Sequence, residues 1–136
     1  MEAKLKHLEF IQGAISRMAT NSFLFKGWAI TIAAGLAGFA TVDSRAALLI
    51  IALGSSVLFW GLDGYYLWLE RGFVKLHNTV AAKSDADIDF SMKIDKKCYF
   101  WEWLKACKRP HLVFFYGVII ALDVVGIFLI RSHHGS

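Results

Sequence analysis

Proline is nearly absent from this chain, with Pro110 alone in 136 residues, so almost nothing forbids long helices. Cysteine is scarce too. Cys98 and Cys107 stand nine apart, a spacing that fits neither a zinc site nor a redox pair, and they read as plain thiols on the reducing side of a membrane. His7, His77, His111, His133 and His134 are scattered, with no HExxH or similar cluster to hold a metal. No glycine-rich phosphate loop occurs. Ser55 and Ser56 fall inside an apolar run, with no histidine or acid expected at their depth to activate them. Too little chain remains outside such runs to form a lobe around a polar substrate. The expectation is therefore no enzyme and no cofactor.

Charge is also thin. Only 19% of residues are charged and 57% are apolar, whereas soluble domains average about 25% and about 45–50%. The net +4 does not point to nucleic acid, because the cations flank the apolar runs, where anionic lipid headgroups are the expected partner. Charges recur from Glu2 to Lys26, and the first apolar run comes too late and is too long for a signal peptide. The closing RSHHGS is assigned no function.

What is abundant is hydrocarbon in long stretches. About 20 helical residues cross a bilayer core of about 30 Å. Three runs qualify: Ser22 to Val42, Ala46 to Tyr66, and His111 to Ile130, the last entered through Pro110. A soluble chain this short could not cover three such helices. Asp43, Ser44 and Arg45 leave room only for a tight hairpin between the first two. Lys and Arg are counted thirteen before and between the spans on one side (four up to Lys26, nine from Arg71 to Arg109) against Arg45 and Arg131 on the other. That bias puts the N-terminus and residues 70–110 in the cytoplasm, with the C-terminus in the periplasm of a bacterium. Trp28, Trp60, Tyr65, Tyr66, Trp68, Tyr99, Trp101 and Trp103 crowd the same inner boundary.

The expected fold is an all-α membrane protein with an N-terminal amphipathic helix (1–21), a transmembrane hairpin (22–69), a cytoplasmic segment (70–110) and a third transmembrane helix (111–131). Leu5, Leu8, Ile11, Ile15 and Met18 form the apolar stripe of the first helix, and Ala19-Thr20-Asn21-Ser22 is expected to end it. Leu69, Phe73, Leu76 and Val80 suggest that the second span continues beyond the membrane, weakened at Gly72. SDADIDFSM reads as a short strand or an extended loop. It lacks the glycine and closing glutamate of a calcium loop. CYFWEWLKACKR reads as a short interfacial helix.

Carboxylates in hydrocarbon are costly, which singles out Asp63 and Asp123. From the helix rise, Asp63 lies about 10 Å inward of its span's centre and Asp123 about 4 Å outward, too far apart to pair directly. Arg17, Lys26 or the hydroxyls of Tyr65 and Tyr66 are the expected partners of Asp63. Asp123 has no cation at its depth; it either bonds to a Ser or Thr, carries a proton, or faces water on the axis of an oligomer. Small residues four apart, at Thr31/Gly35, Ala33/Ala37, Ala34/Gly38 and Gly117/Ala121, allow close helix packing and point to a homo-oligomer.

Two blocks carry a resemblance: HLEFIQGAISRMATNSFLFKGW, His7 to Trp28, and FWGLDGYYLWLERGFVKL, Phe59 to Leu76. With FSM at Phe90 to Met92 and the late single span, they resemble the RipA-like family of small octameric bacterial membrane proteins. The resemblance implies an inner-membrane homo-oligomer, an octamer as in that family, tied to stress or intracellular growth, with similar small proteins accompanying anti-phage defence systems. It matches the family pattern at Glu9, Arg17, Asn21, Ser22, Lys26, Trp60, Asp63, Glu70 and Arg71. Of these, Glu9, Arg17, Lys26, Asp63, Glu70 and Arg71 are expected to form a charge network at the inner face. Two functions follow: a pore-like or membrane-perturbing assembly, or a scaffold that recruits a cytosolic partner through the N-terminal helix and residues 70–110.

Overall fold

A computed structural model describes residues 1–43, 45–97 and 99–134, the last without its side chain. Ser44 and Cys98 lie outside the described residues, so the hairpin tip is bounded but not drawn, and nothing is added on the Cys98 thiol. Four helices account for most of the described chain: α1 (Glu2–Asp43), α2 (Ala46–Ala82), α3 (Tyr99–Cys107) and α4 (Pro110–His134). Three of them, α1, α2 and α4, are long and apolar enough to cross a membrane. The strand considered for residues 84–92 does not form. A single 3-10 turn, Asp85–Asp87, is followed by irregular chain.

The expected break after residue 21 does not form, and α1 is one helix of 42 residues, about 63 Å long. The physical reason lies in where its polar side chains turn. Thr20 Oγ1 donates to Ser16 O at 3.0 Å, one turn back, and Ser22 turns to a carboxylate on α2 instead of capping. Each such residue costs an interior helix only about 0.5 kcal/mol, so satisfied hydroxyls do not stop it. The second span does continue as a helix beyond residue 69, with α2 running on to Ala82. At 42 and 37 residues, α1 and α2 are longer than a hydrocarbon core of about 30 Å by about 33 Å and about 25 Å.

In packing, α2 is central. Helix α1 lies along it, α4 packs on it, α3 packs on its residues 60–68, and α1 touches α4 much less. Ala29, Ala33 and Ala40 form the buried seam of α1. Gly35, Gly38 and Gly117 have open space where a side chain would be. Toward its N-terminus α1 buries His7, Ile11 and Ala14, whereas Leu5 is exposed. The buried stripe is rotated from the one read in sequence, because residues 83–97 lie across the His7 face. Lys4 Nζ donates to Lys83 O at 2.8 Å, and His7 Nε2 lies 3.2 Å from Ser91 O with its ring against Phe90. Phe90 takes a left-handed φ of 52°, a strained turn that this contact stabilises.

Helix α3 is stapled to α2 by two indoles. Trp60 Nε1 donates to Cys107 O and Trp103 Nε1 to Gly61 O, each at 3.0 Å. The close approach needs Gly64, where a Cβ would stand 3.3 Å from Cys107 Cα. Gly72 is likewise a seat for Ile94 rather than a weak point. Trp68 and Tyr99 meet edge to face at 4.7 Å, so the aromatic belt is built in tertiary contacts. Outward faces of the long helices stay apolar, with Phe23 76% and Phe114 75% exposed.

Candidate functional site

The chemistry concentrates at two levels between the long helices. Asp63, on α2, is fully buried. It accepts from Ser22 Oγ and from Lys26 Nζ (2.5 Å) on α1, and from Tyr116 Oη (3.2 Å) on α4. Ser22 and Lys26 stand one turn apart, and the ammonium also donates to Ser22 Oγ at 2.9 Å. One carboxylate thus ties three helices together. Trp60 stacks on the Tyr116 ring at 6.3 Å and an interplanar angle of 10°, which fixes the phenol that reaches Asp63.

Asp123, on α4, is 3% exposed and lies beside the Ser56 side chain of α2. The Ser56 hydroxyl also faces Ala52 O at 3.0 Å, so one hydroxyl proton stands before two acceptors. Oδ2 of Asp123 has no hydrogen-bond partner among the described residues. Ser56 does therefore meet an acid, against the reading from depth. The estimated offset of about 4 Å is within what two side chains span. In the single chain Asp123 faces α2 and not the outer surface.

The two levels are reciprocal. Ser56 precedes Asp63 by seven residues on α2, and Tyr116 precedes Asp123 by seven on the antiparallel α4. Two helical turns, about 10.5 Å, separate the levels, and each helix gives a carboxylate at one and a hydroxyl at the other.

The six-residue charge network expected at the inner face divides. Lys26 and Asp63 form its buried pair. Glu9 and Arg17 are exposed and stay out of it. Glu70 and Arg71 are half-buried on α2 and line a cleft of about 690 Å³ together with residues 93–109. Tyr65 and Tyr66 do not bond Asp63; their rings pack on each other at 5.5 Å. Of the packing positions, Gly35, Gly38 and Ala121 are exposed and Gly117 is half-buried in the single chain. From the sequence, Ser22 stands out only as a match to the family pattern and a helix-end residue, and Tyr116 and Ser56 are not singled out as site residues. The repeated seven-residue interval between a hydroxyl and an aspartate in two apolar runs was their signal.

At the charged end, Lys105 donates to Glu102 at 2.9 Å and holds that carboxyl below its usual range. No group of three or more potential metal ligands occurs among the described residues. Compared with protein-family models, characterised proteins and solved structures, the chain matches none.

Proposed function

We propose that this chain is a multi-pass protein of a bacterial inner membrane, and that its copies assemble into a platform holding a rigid extension at the cytoplasmic surface. The carrying observation is that both intramembrane carboxylates are turned inward, onto partners in the same chain. The outer faces of the spans are left apolar. Thr31, Thr41 and Ser55 bond carbonyls of their own helices, so they offer no polar lining either. The cytoplasmic part, by contrast, is built: the ends of α1 and α2, the clamped segment 83–97 and the stapled α3. A cytosolic protein partner is the expected reader of that surface. The Lys and Arg distribution supports the orientation, with the C-terminus periplasmic.

A second reading, a pore-like or membrane-perturbing homo-oligomer in defence or stress, draws support from the RipA-like resemblance. Open space at Gly35, Gly38 and Gly117 supports the oligomer in either case, since packing in lipid favours small residues. Proteoliposome ion flux separates the two. A platform gives background flux for the parent chain and for Asp123→Asn and Asp123→Lys alike. Flux above background that changes with either substitution rejects the platform in favour of the pore. Native mass spectrometry in lipid nanodiscs reads the subunit number, and a monomer there removes both assemblies.

A further inference from the structure

We propose that the cleft between α2 and residues 93–109 binds the phosphate of an anionic membrane lipid. Its volume is about 690 Å³, and it is lined by Arg71, Lys75, Lys93, Lys97 and Arg109. None of these five forms an ion pair among the described residues. Three carboxylates also border the cleft, Glu70, Asp95 and Glu102, against its five cations. Glu102 is paired with Lys105, which stands outside the lining. A concave surface with unpaired cations in excess suits a tetrahedral oxyanion, and the two guanidinium forks suit its paired oxygens.

Position selects lipid over a soluble phosphate compound. This step rests on the membrane reading above. Arg109 immediately precedes Pro110, where α4 begins its apolar run, and Trp68 forms part of the cleft wall. Those residues put the opening at the headgroup level. Phe100 and Trp101, 58% and 64% exposed, stand on α3 nearby as apolar surface for acyl chains. Lipids with a net negative charge, such as phosphatidylglycerol, are therefore preferred over zwitterionic ones.

The full chain in detergent, titrated with short-chain phosphatidylglycerol or phosphatidylcholine and read by native mass spectrometry, tests this. Phosphatidylglycerol is expected to bind at least about tenfold more tightly, the scale of one charge-assisted contact. Arg71→Gln/Arg109→Gln is expected to abolish that preference. Lys75→Gln/Lys97→Gln, at two exposed positions, is expected to weaken it with the fold intact. Lys6→Gln/Arg17→Gln, outside the cleft, should leave it unchanged. Equal binding of the two lipids, or an unchanged preference in both cleft variants, overturns the proposal. Displacement of the lipid by equimolar inorganic phosphate overturns the lipid source. A chain that stays monodisperse without detergent refutes the membrane reading itself, a separate result from lost lipid preference.

Discussion

Replacing Lys26 by methionine keeps most of the side chain's bulk and removes the one cation that touches Asp63 among the described residues. The carboxylate is fully buried and has three donors, from Ser22, Lys26 and Tyr116. Breaking a buried pair by deleting one partner costs about 3–5 kcal/mol. Two donors remain and the Lys26 side chain is 24% exposed, so the lower end, about 3 kcal/mol, is expected. Ser22→Ala removes one hydrogen bond to a charged group, about 1.5–2 kcal/mol. Tyr116→Phe removes the contact at 3.2 Å, about 1 kcal/mol. The order Lys26, Ser22, Tyr116 follows. The double variant Lys26→Met/Asp63→Leu removes both charges, and its loss is expected to fall below the sum of the single losses by at least about 1 kcal/mol. Reversible unfolding of detergent-solubilised protein in SDS, followed by tryptophan fluorescence, gives each value. Additive losses, or a Lys26→Met cost under about 1 kcal/mol, would show that the pair is not the tie described.

Gly64→Ala drives a methyl toward the Cys107 backbone and is expected to cost about 1–3 kcal/mol by displacing α3. Gly38→Ala enters open space and is expected to be neutral or stabilising in the monomer by up to about 1 kcal/mol. Thermal unfolding in detergent compares them, and equal shifts refute the close approach at Gly64. Asp89, outside the spans, accepts the Ser91 amide, which lowers its pKa below the ordinary 3.8. That contribution to holding segment 83–97 is present above pH 3.8 and is lost as pH falls through the lower folded value. Carboxyl NMR reads the midpoint, and a value at or above 3.8 contradicts the contact.

Long apolar runs made the three membrane-compatible helices legible, because length and hydropathy are one-dimensional properties. Pro110 marked where α4 starts for the same reason. Helix ends were harder. Thr20, Asn21 and Ser22 are cap formers, and only the structure shows Ser22 committed to Asp63. The amphipathic stripe of α1 was misplaced since the covering chain comes from residues 83–97, remote in sequence, and buries His7. Lys26 was foreseen for Asp63 because a cation at matching depth can be read from position. Tyr116 and Ser56 were not, because assigning them needs the relative register of α2 and α4.

That register has a consequence for how the third span is seated. Sliding α4 along α2 by one turn, about 5.4 Å, parts Asp63 from Tyr116 and Asp123 from Ser56 in the same movement. Asp63 keeps Ser22 and Lys26, but in a bilayer interior Asp123 cannot recover a partner from water. The α1–α2 hairpin already satisfies Asp63 through Lys26, whereas an α4 that arrives alone carries Asp123 unmet. Its insertion depth is thus fixed by two latches that must close together, and the hairpin acts as the gauge against which the late helix is measured.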